Sequence, residues 1–348
     1  MRIALLISQL TLGGAERQLV RTAAALAADG AGHEVFVLAN HPGLGAVEAE
    51  APPTLPNLRF DALAVSGRRA KVAATRHRLR SFAPDVVVGW LRASWVLGGV
   101  LHEIDRRPSL YLAERNALAS YPPTWRRAKV LVARRADRIV ANSEEAAGEW
   151  RSVSSRFDVR VAQNFPPPRR AVATRQGEGP RRLVVVGRLE QVKGIDVAVR
   201  ALAEARGAGA DLELVVVGRD DEHGAALQRY RDLALSLGVD AAIEWRPPSK
   251  TWLDDVAGTV DGVLIPSRSE GSSNVLAEAL AAGVPVLATT GVHAPRAGMA
   301  YAQALAGDPT DLARLLVDEA WTASRVEPGA FDAWEREAAD QAVAAWSR

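Results

Sequence analysis

Short apolar runs of strand length recur along this 348-residue chain, and helix-length segments separate them. In chain order the runs are RIALLIS, HEVFVLA, DVVVGW, LYLA, DRIVAN, RLVVVGR, LELVVVGR, AAIEW, GVLIPS and VPVLAT. Most of them are continuous in Val, Leu and Ile, which is typical of parallel strands that helices cover on both faces. The pattern predicts an α/β fold built on parallel sheets.

The alternation stops once, at residues 164–180, where prolines, glycines and charged residues replace it. We predict a linker at 165–180 that joins an N-terminal domain, residues 1–164, to a second domain, residues 181–327. Two domains also suit the length, because a single core rarely grows beyond about 250–300 residues. Residues 328–348 have helical spacing, and we expect this last helix to pack back on the first domain. Its apolar face would carry Phe331, Trp334, Ala338, Ala342 and Trp346.

The chain contains no cysteine, so disulfides and thiolate catalysis are excluded. This composition fits a reducing compartment. The apolar start MRIALLISQL is too short for a signal peptide, and a polar turn follows it. We expect a cytoplasmic protein, with peripheral contact to the inner face of the membrane as the alternative to a freely diffusing one.

Charge is distributed unevenly between the two halves of the chain. Residues 1–165 hold 23 Lys and Arg against 15 Asp and Glu, whereas the remainder holds 20 against 26. Much of the positive charge lies in two segments with helical spacing, 67–82 and 121–138. Either these are solvated helix faces, or they form a docking face for anionic lipid with Tyr121 and Trp125 as interfacial aromatics. Nucleic acid is not an expected partner, because the basic segments lack interleaved stacking aromatics.

Glycine turns and cations follow predicted strands in both halves. Gly13 and Gly14 stand between the first strand and the first helix, where bare backbone N–H groups suit an anion, although such turns also serve packing alone. In the second half, Gly187 ends a strand, Arg188 follows it, and Lys193 comes just before the next helix. Open α/β sheets bind ligands outside the carboxyl ends of their strands, and two cations at such a turn suit a diphosphate.

Two glutamates, Glu270 and Glu278, follow the run GVLI with seven residues between them. Glu270 falls in a loop, and Glu278 falls inside a helix that starts near Ser273 or Asn274 and aims its free N–H groups towards Glu270. A carboxylate at Glu278 can accept hydrogen bonds from two neighbouring hydroxyls of a ligand, with a helix cap or a solvent-facing position as the alternatives. The acidic pairs in RDDEHG and LDD fit helix starts better than a metal site, so no metal is expected.

Three stretches of the chain together resemble one enzyme family. They are GGAER at 13–17, VGRL with KG at 186–194, and SRSEGSSNVLAEALAAGVPVLAT at 267–289. In this order they resemble the retaining glycosyltransferases of family 4, and the pair of glutamates with seven residues between them is the most specific part. The resemblance implies a GT-B fold, in which two Rossmann-like domains face each other across a cleft.

The resemblance also assigns roles to residues of this chain. Arg188, Lys193 and Glu270 are the expected catalytic residues, the two cations on the donor diphosphate and the carboxylate facing the donor sugar. The further residues expected to bind the donor are Gly13, Gly14, Gly187, Arg246, Pro247, Gly271, Ser272, Ser273, Asn274, Val275 and Glu278. Among these, Glu278 matches the ribose ligand of the family.

On the acceptor side, YLAERNALA at 111–119 resembles the ERN segment of relatives that build bacterial polysaccharides. Glu114, Arg115 and Asn116 are therefore expected on the acceptor and sugar side, and Arg246 with Pro247 is expected near the nucleobase.

The function implied by the resemblance is the metal-independent, retaining transfer of a sugar, hexosyl or N-acetylhexosaminyl, from a nucleoside-diphosphate sugar. UDP-sugar is the expected co-substrate, no cofactor is expected, and the acceptor is expected to be a glycan or a lipid-linked hydroxyl compound. Two alternatives stay open: a nucleotide-sugar-binding pseudoenzyme or partner subunit, and a nucleotide-sugar epimerase of the same fold.

Overall fold

The computed structural model describes residues 1–347 apart from 12, 51–53, 117, 119, 120, 221, 250, 271 and 294–297, and it leaves the side chain of Ala49 undescribed. The chain forms two compact units. Unit 1 comprises Met1–Phe165 together with Trp334–Arg348, and unit 2 comprises Pro166–Ala333. No helix among the described residues is long and apolar enough to cross a lipid bilayer.

Unit 1 is built on a seven-stranded parallel sheet with the order β3-β2-β1-β4-β5-β6-β7. Its strands are β1 Arg2–Ile7, β2 Glu34–Ala39, β3 Leu58–Ala62, β4 Val86–Trp90, β5 Ser109–Glu114, β6 Arg138–Ala141 and β7 Val159–Val161. Its first six helices are α1 Gly14–Ala28, α2 Gly45–Glu50, α3 Arg68–Phe82, α4 Arg92–Ile104, α5 Pro123–Ala133 and α6 Glu144–Val153. The central strand β4 is buried along its whole length, as its continuous apolar sequence predicts.

Unit 2 repeats this plan with a six-stranded parallel sheet of order β10-β9-β8-β11-β12-β14, and a short antiparallel pair, β13 with β15, lies apart from it. Its strands are β8 Arg181–Arg188, β9 Leu212–Arg219, β10 Ile243–Arg246, β11 Gly262–Ile265, β12 Val286–Thr289, β13 Met299–Ala300, β14 Ala302–Ala304 and β15 Arg325–Val326. Its helices are α7 Ile195–Gly207, α8 Ala225–Ser236, α9 Trp252–Asp255, α10 Asn274–Ala281 and α11 Pro309–Val317. Short 3-10 turns cover Gln191–Lys193, Asp240–Ala242 and Ala320–Ala323.

The segment after Phe165, predicted as a linker, hydrogen-bonds along unit 2. The backbone N–H of Arg170 donates to the carbonyl of Ala281 at 3.3 Å, and that of Arg175 donates to the carbonyl of Val260 at 2.8 Å. The Arg175 guanidinium also donates to Asp261 at 3.3 Å. These bonds explain why the segment belongs to a compact unit although it contains neither a helix nor a strand.

The last helix, α12 at Ala330–Trp346, supplies part of the core of unit 1. The Trp346 ring packs 5.5 Å from the Trp90 ring, and the Trp334 indole donates to the carbonyl of Asn164 at 2.8 Å. All five residues of the predicted apolar face are buried: Phe331, Trp334, Ala338, Ala342 and Trp346.

Both parallel sheets have a point where the strand order reverses. In unit 1 it lies between β1 and β4, and in unit 2 between β8 and β11. Loops that leave the carboxyl ends of two such strands diverge to opposite sides of the sheet, and the space between them is where open α/β sheets bind ligands. The residues of interest in each unit therefore follow these four strands.

Candidate active site

The switch point of unit 2 brings Lys193 and Glu270 together. The Lys193 ammonium donates to Glu270 Oε1 at 2.6 Å, although 77 residues separate the two in the chain. Their side chains are 22% and 13% exposed, so the pair is shielded from bulk water without being sealed from a ligand. An ammonium has three N–H donors, and the bond to Glu270 uses one of them.

A second donor orients the Glu270 carboxylate. The hydroxyl of Ser267, a buried residue, donates to the same Oε1 atom at 2.8 Å, and the backbone N–H of Glu270 donates to the carbonyl of Gly291 at 2.9 Å. The buried Thr289 hydroxyl in turn donates to the carbonyl of Ser267. Ser267 was not among the predicted site residues, and its position three residues before Glu270 is the only sequence signal for it.

Glycine at position 194 is required by the local geometry. Its φ is +67°, and a Cβ atom there would lie 2.0 Å from the carbonyl oxygen of Pro266. Gly194 thus lets the turn that carries Lys193 approach the loop that carries Glu270. Gly187 has a milder role, since a Cβ there would meet the Lys193 side chain at 3.6 Å, an ordinary contact distance.

An Arg–Asp pair ties the same two loops together. Arg268 donates to both carboxylate oxygens of Asp196 at 2.8 and 2.7 Å, and also to the carbonyl of Gln191 at 2.7 Å. The hydrogen bonds from Arg268 lower the pKa of Asp196 below its ordinary value. Because the bidentate pair joins the start of α7 to the Glu270 loop, it fixes the spacing of the site.

Arg188 lies at the end of β8 but does not join the Lys193 and Glu270 pair. Its side chain is 48% exposed, and its guanidinium donates to Glu190 two residues later. Exposed ion pairs of this kind contribute about 0–1 kcal/mol, so the guanidinium can exchange Glu190 for a ligand at small cost.

The helix that follows Glu270 begins as predicted. Ser273 is the N-cap of α10, and its hydroxyl accepts from the N–H of Leu276 at 3.3 Å. The helix therefore presents the amides of its first turn, which includes Asn274 and Val275, at the end of the loop. Ser272 is half-buried beside them, and Gly271 lies outside the described residues.

Glu278, the predicted ribose ligand, is half-buried within α10 and is oriented by an indole. The Trp252 N–H donates to Glu278 Oε2 at 2.7 Å, and Trp252 itself is buried. Arg246 donates to Glu244 at 2.7 Å and to the carbonyl of Asp255 at 3.3 Å, and Pro247 beside it is exposed. Trp252 was missed by the sequence analysis because an indole in a short helix gives no signal of its partner.

The glycine turn of unit 1 accommodates a carboxylate of the chain itself. Gly13 is the N-cap of α1 in an ordinary extended conformation, and Gly14 is the first residue of the helix. A Cβ atom on Gly13 would lie 2.1 Å from Glu16 Oε2, and Glu16 is buried. The bare backbone that was predicted to admit an anionic ligand thus admits the Glu16 carboxylate, which suits a helix N-terminus for the same electrostatic reason.

A strained turn follows β4, the strand that lies beside β1 at the switch point of unit 1. Leu91 has φ 69° and ψ 165°, a conformation that non-glycine residues rarely adopt. Gly89 before it cannot carry a side chain, since a Cβ atom there would lie 2.8 Å from the carbonyl oxygen of Ser94. Backbone strain of this kind clusters at functional sites, and here it stands at the switch point of unit 1.

Glu114, expected on the acceptor side, is instead buried inside unit 1. It is 1% exposed, and Lys129, 3% exposed, approaches its Oε2 atom to 2.6 Å. The Trp150 indole donates to Oε2 at 3.0 Å, and the N–H groups of Arg115 and Asn116 donate to Oε1 at 3.1 and 3.3 Å. The expectation that Glu114 faces an acceptor is therefore wrong in this structure, because its oxygens serve to hold the backbone of the following loop.

Aromatic rings enclose the Lys129 ammonium, which lies 4.0 Å from the centre of the Trp95 ring and 4.1 Å from that of Tyr121. Burial lowers the pKa of Lys129 and raises that of the Tyr121 hydroxyl. The loop held by Glu114 carries Arg115, whose guanidinium lies 4.2 Å from the Trp90 ring, and the exposed Asn116. Of the three predicted residues, Asn116 is exposed, whereas Arg115 is half-buried and its Nη1 atom is shielded from solvent.

Among the described residues no group of three or more His, Asp or Glu is placed to hold a metal ion. In RDDEHG, the Asp220 carboxylate accepts the N–H of Leu227 at 2.8 Å and that of Glu222 at 2.7 Å, so it caps the start of α8. In LDD, Asp254 and Asp255 lie in α9.

Two family models match the two units separately. The model for Glycosyltransferase Family 4 matches residues 12–168, and the model for Glycosyl transferases group 1 matches residues 180–318. The chain is a family 4-like glycosyltransferase. Both matches include the segments built around the switch points, with Gly13 and Gly14 in the first and Lys193 and Glu270 in the second.

Curated relatives are identical to the chain at about a third of the aligned positions. The D-inositol 3-phosphate glycosyltransferase of Rhodococcus opacus is 34% identical over 219 residues, which is 58% of this chain and 49% of the relative. The enzyme of the same name from Mycobacterium marinum is 32% identical over 217 residues, 58% of this chain and 45% of the relative. The chain thus spans about half the length of these relatives.

Solved structures share the fold. Anabaena HepE in complex with UDP and glucose superposes with a TM-score of 0.72 at 18% identity, covering 99% of this chain and 94% of that one. Sucrose-phosphate synthase from Thermosynechococcus elongatus gives a TM-score of 0.71 at 19% identity, covering 99% and 95%. The fold is GT-B, with two Rossmann-like domains.

Proposed function

We propose that the chain is a retaining glycosyltransferase that moves a hexosyl or N-acetylhexosaminyl group from a nucleoside-diphosphate sugar to a hydroxyl group. The observation that carries the proposal is the Lys193 and Glu270 pair, held at the switch point of the unit 2 sheet beside the N-terminus of α10. A cation and helix amides that converge at such a point form a site for phosphate, and the adjacent carboxylate suits sugar hydroxyls.

The chemistry asked of this site is stabilisation of a leaving group. Breaking the bond between the anomeric carbon and the phosphate builds negative charge on the diphosphate. Lys193 and the amides at the start of α10 are oriented before the reaction, so they favour that charge without reorganising. Arg188 adds a second cation once it exchanges Glu190 for the phosphate. These groups carry out the step without a metal ion.

Glu270 holds the sugar while the diphosphate departs. Ser267 and Lys193 both donate to Oε1 of its carboxylate, which fixes the carboxylate while Oε2 accepts from a sugar hydroxyl. In the retaining reaction we propose, the acceptor hydroxyl attacks the anomeric carbon from the side the phosphate leaves. The departing phosphate oxygen takes the proton of that hydroxyl, so no side-chain base is needed.

UDP-sugar is the donor we propose. The support is that a structural neighbour of the same fold binds UDP and glucose. Glu278, oriented by Trp252, would accept from the ribose hydroxyls. For the acceptor we propose a glycan, a lipid-linked compound or another small polyol, and the names of the relatives support a phosphorylated polyol as a first compound to test.

A thermal-shift and turnover experiment tests the function. We expect UDP and UDP-sugars to raise the melting temperature of the full chain. At a ligand concentration 100 times Kd, the free energy of unfolding should rise by about 2.7 kcal/mol. UMP, which lacks the second phosphate, should shift it less. Conversion of UDP-sugar to UDP that depends on an added acceptor supports a transferase. Binding without turnover would favour the pseudoenzyme, and an isomeric sugar formed from donor alone would favour the epimerase.

We further propose that unit 1 docks on an anionic membrane surface through the face formed by α3, α4 and α5. Helix α4 packs between the two basic helices, α3 and α5. It leaves an apolar row exposed, in which the exposed fraction is 41% for Val96, 44% for Val100 and 46% for Ile104. Leu131 on α5 is 54% exposed. Basic residues beside an exposed apolar row fit an interface that combines charge attraction with shallow insertion.

Vesicle binding tests this surface. Replacing Val96, Val100 and Ile104 together by serine should weaken binding to vesicles rich in phosphatidylglycerol by about tenfold or more, because three partly inserted side chains are lost. Added salt should weaken binding of the unaltered chain as well. The control replaces Leu235 and Leu237 of unit 2, which are 61% and 37% exposed. Equal effects of the two sets, or binding that ignores salt, would contradict the surface.

A further inference from the structure

A cavity of about 310 Å³ lies in unit 1 at the amino edge of the sheet. It is bounded by the last turns of α3 and α4 and by the residues that enter β4 and β5. Gly13, Arg115 and Asn116 follow the carboxyl ends of their strands, so they stand at the other edge of the same sheet. The cavity is therefore separate from the residues that the proposed transfer uses.

The cavity has an apolar wall and a cationic side. Leu79, Val87, Leu101 and Leu110, all buried, line the wall. The polar lining includes the guanidinium groups of Arg76, Arg80 and Arg107 and the imidazole of His102. Such a division suits a molecule with an apolar body and one polar end.

Two nitrogen atoms in this lining are buried without a partner. Arg76 Nε and His102 Nδ1 have no hydrogen-bond partner among the described residues, although each atom is shielded from solvent. Buried polar atoms are nearly always paired, and leaving one unpaired is costly. The described residues give the Arg76 Nε–H no acceptor, and a ligand oxygen in the cavity can supply one once the side chain turns towards it.

The two carboxylates of the lining already have donors. Asp85 accepts from the backbone N–H of Arg2 at 2.8 Å, and Asp105 accepts from Arg107 Nε at 2.9 Å. Three arginines in the lining, Arg76, Arg80 and Arg107, stand against these two carboxylates, so the lining keeps one net positive charge, which favours an anion over a cation.

We propose that this cavity binds a small amphiphile with one anionic head group, its aliphatic body on the leucine wall and its carboxylate or phosphate on Arg76 and His102. The volume is at the lower end of the range for small-molecule pockets, about 300–1,000 Å³, so a single short chain fits it better than a two-chain lipid. Binding would join α3 to α4 and leave the carboxyl edge of the sheet open.

Calorimetric titration of the full chain with three probes tests the proposal: octanoate, octanol and octylammonium share a tail and differ in the charge of the head. We expect saturable binding of octanoate, binding of octanol weaker by about tenfold, and no saturable binding of octylammonium. Equal binding of octanoate and octylammonium would overturn the proposal, because the tail alone would then account for binding.

Substitutions on α3 provide the matched comparison. R76Q should weaken octanoate binding about tenfold, since it removes a charged donor. R78Q removes the same charge from the same helix, but Arg78 is 51% exposed, faces Asp61 at 3.3 Å and should leave binding unchanged. Equal losses in the two variants would contradict a site at Arg76.

Should R76Q prove poorly folded, H102Q provides a second variant, and an unchanged urea denaturation midpoint serves as the check that the chain is intact. In the unaltered chain, octanoate should shift the imidazole resonance that H102Q removes. No shift of that resonance at saturating octanoate would overturn the assignment.

Discussion

Replacing Lys193 by alanine is expected to lower turnover about 100-fold, the scale seen when one donor to a transition-state anion is removed. The Lys193 ammonium is 22% exposed and stands at the switch point of the unit 2 sheet, where the charge of the departing diphosphate would develop. Initial rates of UDP release at saturating acceptor measure the effect. The dissociation constant of UDP should change less than turnover, because the ammonium is worth more to the transition state than to the bound donor.

The same substitution also removes a partner from Glu270, so controls must separate the two roles. Ser267→Ala removes the other donor to Glu270 Oε1 and keeps the ammonium, and its loss of turnover should be smaller. Arg200→Ala deletes an exposed positive charge from α7 and should leave turnover unchanged. A Lys193→Ala variant that keeps more than a tenth of normal turnover would contradict the leaving-group role.

Glu114→Gln is expected to destabilise unit 1 by about 3–5 kcal/mol, because it leaves a buried ammonium without its counter-charge. Glu114 and Lys129 are 1% and 3% exposed, so water cannot take the place of the lost carboxylate. Urea denaturation measures the change. Adding Lys129→Met to Glu114→Gln should recover much of the stability, since the unpaired charge is then gone.

The loss in Glu114→Gln should also depend on pH. Burial lowers the pKa of Lys129 in the folded chain and Glu114 opposes that effect, so in the variant the folded pKa falls further below the unfolded one. Stability must then rise with pH between the folded and unfolded pKa values, and the variant should approach the unaltered chain in alkaline solution. As a control, Glu103→Gln breaks the exposed ion pairs with Arg106 and Arg135 and should leave the stability nearly unchanged. A variant as stable as that control at pH 7 would refute the account of the buried pair.

The apolar runs predicted the central strands because burial on both faces leaves a continuous mark on a sequence. The edge strands β3 and β7 were missed for the converse reason. In β3 no residue is fully buried, and LRFDA mixes charged with apolar residues. In β7 only Val159 of the three residues is buried. The burial of the last helix was predicted because its apolar residues recur at helical spacing.

The site was predicted in outline, because glycine turns and charged residues at strand ends mark the ligand edge of a sheet. The pairing of partners could not be predicted from local pattern. Lys193 and Glu270 meet only through the adjacency of β8 and β11, and Glu114 meets Lys129 only after β5 and α5 have packed. The occupant of the Gly13 turn was missed for another reason: a bare backbone is equally suited to a ligand anion and to Glu16 three residues away.

The return of α12 has a consequence for the order in which the protein can mature on the ribosome. Trp334 and Trp346 complete the interior that the first 165 residues begin. The ribosome synthesises all of unit 2, up to Ala333, before it reaches these two tryptophans. Unit 2 can thus finish while unit 1 still lacks its closing helix, with the Trp90 ring uncovered. The half that is translated first therefore cannot complete its core until the last helix has been made.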